Sequence, residues 1–291
     1  MLDKDILTGI YDLHIHSAPD IVERKANDVQ IAERAAAAGM KGYVSKSHYA
    51  LTTDRAAAAR KLYPNCNAMG SIVLNTTNGG INPIATEHAA RLGAKIIWFP
   101  TLDSPAEFTF MLENAPDLVD MQSKMLKRDI RISGVKALNE KGALTAEARE
   151  ILAIAKDYDI AVGTGHITHE ETYALAKAAA DMKFGKLIIT HVNLSAIRYS
   201  VEEQKALAGL GAVIERSYVF PYSGRITWEE EVSELHAVGT KYYILSTDLG
   251  RPDAPFSDEG MYDYANQLYA RGIKKEELRQ MMAENTARLV E

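Results

Sequence analysis

Eight short apolar runs, each separated from the next by an amphipathic segment, restrict the fold of this chain more than any other feature. The runs are Asp12–His16, Gly42–Lys46, Met69–Asn75, Lys95–Thr101, Ile160–His166, Leu187–His191, Ala212–Arg216 and Tyr242–Asp248. They are rich in Val, Ile and Tyr and mostly lack strict alternation, as parallel strands buried on both faces do. The intervening segments, such as VQIAERAAAAGM and TYALAKAAADMKFG, are alanine-rich and studded with charge, and read as helices with C-terminal stops. Eight such repeats in 291 residues most economically close into an α/β structure, a (β/α)8 TIM barrel, as one domain over residues 1–291. An open doubly wound sheet is the alternative, but no Gly-rich phosphate loop follows the first run. One segment breaks the rhythm. Residues 130–145, IRISGVKALNEKGALT, place the turn signal NEKG between two β-prone pieces. They predict a small β-hairpin inserted between strands 4 and 5, which makes Lys136 a hairpin residue.

Composition narrows the chemistry. The formal net charge is −6, which argues against a dedicated nucleic-acid surface. No basic region precedes an apolar leader, and no run of about 18 apolar residues occurs, so a cytoplasmic protein with no membrane or nucleic-acid partner is expected. A small molecule is the expected substrate and a homo-oligomer the expected assembly. Cys66 is the only cysteine, so any metal must be held by histidine, carboxylate or a modified side chain.

Barrel enzymes build their sites at the C-terminal ends of the strands, and the polar residues collect there. His14 and His16 close strand 1, where alternation puts both on one face. Lys46 and His48 close strand 2, Asn75 strand 3, and Thr101 and Asp103 follow strand 4. His166, His191 and Asp248 close strands 5, 6 and 8. His88 and His236 fall inside helical segments. His169 stands at a helix start beside Glu170 and Glu171, and is a candidate for substrate contact. Each residue alone has an ordinary explanation, a hydrogen-bonded loop histidine or an aspartate capping a turn. Together the tips of strands 1, 5, 6 and 8 would converge on one mouth, with imidazole and carboxylate donors suited to a divalent ion. The loop NTTNGGIN supplies Asn75, Asn78 and Asn82 either for substrate recognition or as a structural turn. Arg216 and Arg251 lie beyond strands 7 and 8, as carboxylate anchors or as surface ion pairs.

The order His-x-His on strand 1, His on strand 5, His on strand 6 and Asp on strand 8 resembles the ligand set of the amidohydrolase superfamily, and the chain looks like a poorly characterised branch of it. DLHIHSAPD, GTGH, THV and STDLG carry the resemblance across the chain. It implies a mono- or binuclear centre whose bound hydroxide attacks a carbonyl-like or phosphoryl-like centre, with Asp248 as metal ligand and proton shuttle. His14, His16 and Asp248 would hold one ion. His166 and His191 would hold a second, completed by Lys46 or His48; zinc is expected first, manganese or iron otherwise. Many relatives bridge two ions with a carboxylated lysine after strand 4, and here that strand reads KIIWFPTLD, without one. Lys46 is the nearest substitute, either carboxylated or as a cationic anchor for an anionic substrate. SKSHY also resembles the second histidine motif of the polymerase-and-histidinol-phosphatase barrels, which implies phosphoester hydrolysis. That family would want a Glu after strand 3 and a terminal Asp-x-His, where this chain has Asn75 and Asp248-Leu249-Gly250.

Overall fold

The apolar runs become eight strands: β1 (Tyr11–His16), β2 (Gly42–Lys46), β3 (Asn67–Val73), β4 (Ala94–Trp98), β5 (Ala161–Gly163), β6 (Leu187–Ile189), β7 (Val213–Ser217) and β8 (Tyr243–Ser246). In this computed structural model, which describes residues 1–114 and 134–291, they form one sheet in the order β1 to β8. Every neighbouring pair is parallel. The ends of the sheet meet beyond β8, where Asp248 N donates to the His14 carbonyl at 2.9 Å and His16 N to the Leu249 carbonyl at 2.8 Å. This is the (β/α)8 barrel that the rhythm of apolar runs predicts.

The helices around it are α1 (Asp28–Ala37), α2 (Thr53–Leu62), α3 (Pro83–Arg91), α4 (Pro105–Asn114), α5 (Ala146–Asp157), α6 (His169–Asp181), α7 (Val201–Gly209), α8 (Trp228–Val238) and α9 (Ser257–Ala270). Their starts are set by local chemistry. Asn27 with Gln30, Thr168 with Glu171, Ser200 with Glu203 and Thr227 with Glu230 form reciprocal capping boxes that satisfy otherwise orphaned N–H groups. Among the described residues no helix is long and apolar enough to cross a membrane.

Inside the barrel, Leu13, Val44, Ile96, Trp98, Val213 and Ile244 pack together, and Leu289 and Val290 of the C-terminal helix join them at the N-terminal end of the barrel. Strict alternation along β1 would then carry Ile15 inward and turn His14 and His16 away. Instead the β1–β2 register shifts between Asp12 and Ile15, and Ile15 packs outward in the helix-facing core. A bulge of this kind re-aims side chains beside a site.

Five of the strands end before their apolar runs do. β3 stops at Val73, β4 at Trp98, β5 at Gly163, β6 at Ile189 and β8 at Ser246. Asn75, Thr101, His166, His191 and Asp248 therefore lie on loops, while His14, His16 and Lys46 sit on strands, as does Arg216, which falls within β7 and not beyond it. The backbone leaves the strand direction in left-handed conformations, with φ of 62° at Gly165, 52° at His191 and 53° at Asp248. Of the expected hairpin, residues 130–133 lie outside the described residues. The rest is a turn, with Gly142 N donating to the Asn139 carbonyl at 3.0 Å, and a single antiparallel bridge, Leu138–Leu144.

Gly163 shows how tightly the interior supports the mouth: a Cβ there would come within 2.3 Å of Trp98 Cε3. Trp98 in turn carries the His14 ring at a centroid distance of 4.9 Å and Lys46 Nζ at 4.7 Å. Gly163→Ala is expected to cost about 1–3 kcal/mol through overpacking, lowering the melting temperature by roughly 2–10 °C. An unchanged thermal melt by circular dichroism would show that Trp98 is free to move.

Candidate metal centre

The bulge delivers His14 and His16 to the mouth, and the turn after β8 brings Asp248 between them. Asp248 Oδ1 lies 3.2 Å from His14 Nε2 and 3.1 Å from His16 Nε2, and its Oδ2 lies 3.6 Å from His191 Nε2. The far side of His14 is anchored, with Nδ1 2.9 Å from Glu215 Oε1 on β7. Glu215 also accepts from Ser246 Oγ at 2.8 Å, and His191 Nδ1 meets Ser217 Oγ at 3.2 Å. Such outer contacts set which ring nitrogen faces the centre. Lys46 is fully buried, its Nζ 2.9 Å from His14 Nε2. His48 stacks on His16 at 4.8 Å between centroids, and His166 lies 5.3 Å from His191 and 6.3 Å from His48. Five imidazoles thus form one continuous cluster.

Burial governs their charge. Desolvation holds His14, His48 and His191 well below the ordinary histidine range and lowers His16 as well; the charge of Lys46 pushes each of them the same way. These rings are neutral near pH 7, the state in which imidazole binds a metal. Burial brings Lys46 down to about 8, against the pull of Asp248 and Glu215. Burial also opposes ionisation of Asp248, but the surrounding histidines outweigh it and hold the carboxyl well below its usual range. Asp12, buried behind β1, is pushed up to about 7 by desolvation even though Thr247 and the His14 N–H hydrogen-bond to it.

The residues fit a divalent ion. One donor atom each from His14, His16 and Asp248 lies within 4.8 Å of the others, and so does the set His14, His191 and Glu215. Among the described residues His16 Nδ1 and both ring nitrogens of His166 are buried without a hydrogen-bond partner. Buried polar atoms without partners are rare unless a bound group satisfies them.

The remaining candidates have other work. Asn75 donates from Nδ2 to the His48 carbonyl at 3.0 Å and to Thr101 Oγ1 at 2.8 Å, and accepts from Thr101 N at 2.8 Å. Thr101 Oγ1 also meets His48 Nδ1 at 2.8 Å, so this pair ties the loops after β2, β3 and β4 together. Asn78 donates to the Val73 carbonyl at 2.8 Å, and Asn82 caps α3 through Ile84 N at 2.9 Å. The structural-turn reading of NTTNGGIN accounts for these three asparagines. His169 pairs with Glu203 at 2.8 Å and stacks on Tyr199, facing the neighbouring unit. Arg251, with 68% of its side chain exposed, pairs with Asp253. Arg216 is neither a substrate anchor nor a surface residue. It is fully buried, 2.6 Å from both Glu231 and Glu234, and donates to Asn193 Oδ1 at 3.0 Å just after His191.

Glu215 escaped the reading of the sequence, although alternation from Val213 places it inward beside Ser217. A carboxylate on the inner face of an apolar strand is a signal in its own right.

The fold is shared with solved structures of low sequence identity. An amidohydrolase from Pseudomonas aeruginosa matches at 12% identity and a TM-score of 0.61, over 99% of this chain and 97% of that one. A probable dipeptidase from the same organism matches at 10% identity and 0.61, over 98% and 95%. A TatD homologue from Escherichia coli matches at 14% identity and 0.57, over 98% of each. The resemblance to amidohydrolase barrels holds at the level of fold. A search of curated proteins returns no match. In sequence, residues 9–215 match the model of DUF6282, a family of unknown function. The chain belongs to DUF6282. The matched region of this DUF6282 protein holds His14, His16, Lys46, His48, His166 and His191 but ends before Asp248.

The buried rings make a pH prediction for the metal-free protein. Below the ordinary histidine pKa of about 6.5, unfolded chains take up protons that His14, His16, His48 and His191 refuse when folded, so stability falls with pH. Each contributes up to about 1.4 kcal/mol per pH unit until its folded pKa is reached. Asp12 works in the opposite sense between about pH 4 and 7, since its folded form holds the proton more tightly. Asp28, which burial also raises, adds to Asp12, but four rings outnumber two carboxyls, so melts of chelator-treated protein are expected to drop from pH 7.5 to 5.5. A rise over that range would contradict neutral, buried rings.

Proposed function

We propose that this DUF6282 protein, with residues 1–291 as one domain, is a metal-dependent hydrolase that activates water to cleave an amide, cyclic amide, or ester or lactone bond of a small molecule. The observation that carries the reading is the meeting of three imidazole Nε2 atoms around the two carboxylate oxygens of Asp248, at 3.1–3.6 Å. His14, His16 and Asp248 would hold one divalent ion, with His191, His166, His48 and Lys46 available to a second. Zinc suits these nitrogen and oxygen donors first, with manganese or iron as alternatives. Such an ion supplies Lewis acidity and lowers the pKa of coordinated water from about 15.7 towards about 7.

The chain's own groups do the rest. Asp248 retains 17% side-chain exposure where His14 has none, so its carboxylate is the group placed to take a proton at the mouth and pass it to a leaving group. Glu215 keeps the His14 ring in one orientation. Lys46 Nζ lies 2.9 Å from His14 Nε2, inside the ring cluster, where an ammonium would repel bound divalent ions and a carbamate formed with CO2 would attract them. Its pKa of about 8 leaves the reactive neutral amine accessible near neutral pH. The barrel shared with an amidohydrolase and a probable dipeptidase supports the same class of chemistry.

A phosphoesterase is the second reading. It is favoured by one contact, the stacking of His48 on His16, which places a strand-2 histidine in the cluster. Phosphate release from a panel of phosphomonoesters separates it from amide and lactone hydrolysis.

Protein purified without chelators should contain at least one divalent ion per chain by elemental analysis, and chelation should abolish turnover until zinc or manganese is restored. Asp248→Asn should fold normally yet lose about a hundredfold or more in rate, the low end of general acid–base contributions. Wild-type rates in that variant on a verified substrate would rule out the assigned proton transfer.

A further inference from the structure

Glu107, on the first turn of α4, is a buried carboxylate that neither the fold nor the cluster described so far explains. Its Oε2 has no hydrogen-bond partner among the described residues, and it lies 3.5 Å from His166 Nδ1, which has none either. The pair is held in place by Ser104. That hydroxyl accepts from Glu107 N at 3.2 Å and donates to the His166 carbonyl at 2.6 Å, joining the start of α4 to the loop after β5. The two atoms face each other at ion-pair distance, yet neither completes a hydrogen bond, and leaving a buried carboxylate oxygen and imidazole nitrogen in that state is costly. Two donors on one tetrahedral ion, each about 2.0–2.2 Å from it, stand roughly 3.3–3.6 Å apart. The observed separation matches that spacing, and the same spacing recurs between Asp248 and the rings of His14, His16 and His191.

We infer that Glu107 and His166 are ligands of a second divalent ion, lying beside the one held by His14, His16 and Asp248. The inference rests on the metal-dependent reading above and adds to it a ligand from α4. Glu107 supplies a carboxylate from the β4 side of the mouth, where Trp98-Phe99-Pro100-Thr101 offers none. His166, through its ring contact with His191, joins this position to the rest of the cluster.

The test is calorimetric titration of metal-free protein with Zn2+, checked by elemental analysis after gel filtration. Wild type should take up two ions per chain. Glu107→Gln should keep the first ion's affinity and the apo-protein's melting temperature, and weaken the second ion about a hundredfold or more. A smaller change, or equal weakening of both ions, overturns the assignment of Glu107. Uptake of a single ion by wild type, unaffected by Glu107→Gln, also overturns it while leaving the hydrolase reading intact. No uptake by wild type overturns both. If Glu107→Gln does not fold by circular dichroism, Glu107→Asp carries the same comparison, since its shorter side chain keeps the charge but withdraws the oxygen.

Discussion

The carboxylate of Asp12 is the contact on which the mouth of this barrel depends. Fully buried between β1 and the chain leaving β8, it accepts from His14 N at 3.2 Å, Thr247 N at 3.0 Å and Thr247 Oγ1 at 2.5 Å. Two of these donors flank the seam where the sheet closes. The first stabilises the shift in β1 that turns His14 and His16 inward; the second fixes the residue immediately before Asp248. One buried side chain thus sets the angle between two candidate ligands on one strand and a third on the loop after another. Its elevated pKa is the consequence of building that hinge where water does not reach.

Electrostatics follow from the same dryness. An imidazolium or ammonium in this cluster would face other cations with little solvent to screen them, so the rings of His14, His16, His48 and His191 are held neutral and Lys46 is pulled towards its free amine. The acidic groups are arranged to match. Glu215 lies beneath His14 and His191, and Asp248 lies above His14 and His16, so the neutral nitrogens are aimed between two carboxylates. A site that merely packed histidines would not need both. The left-handed backbone at His191 and Asp248, 52° and 53° in φ, is a conformation that side-chain-bearing residues adopt at some energetic expense. Both residues lie in the cluster.

Much of this was legible in the amino-acid order. The barrel is written in the spacing of the apolar runs, because parallel strands buried on both faces need continuous apolar sequence. The convergence of His14, His16, His191 and Asp248 follows once their strands are numbered. What escaped depends on long-range partners. Glu107 sits in an ordinary amphipathic helix, and nothing local marks its approach to His166, 59 positions downstream by their numbers. Arg216 looked like a loop-end cation, yet Glu231 and Glu234, which bury it, arrive from α8. The bulge in β1 was equally silent, since the Asp12 carboxylate that braces it is itself held by Thr247, at the other end of the chain. Strand ends were overrun for a related reason: an apolar run continues past the ladder wherever the following loop is itself buried.

The asparagine-rich loop shows why polar sequence at a barrel mouth is weak evidence for substrate binding. Three of its amides are engaged in holding backbone, and the hydrogen bonds run outward from Asn75 to both neighbouring loops. That arrangement fixes Thr101, and through Thr101 Oγ1 it fixes one nitrogen of His48. The loop therefore reaches the centre indirectly, by restricting how the His48 ring can turn beside His16. An imidazole whose Nδ1 is tied in this way presents only Nε2 to the mouth, the same division of labour seen at His14, where Glu215 takes Nδ1. Outer hydrogen bonds of this kind commonly change metal affinity by roughly ten- to a hundredfold when lost. The polar loop after β3 belongs to the support of the centre, and specificity has to come from side chains whose hydrogen-bonding capacity is not already used within the protein.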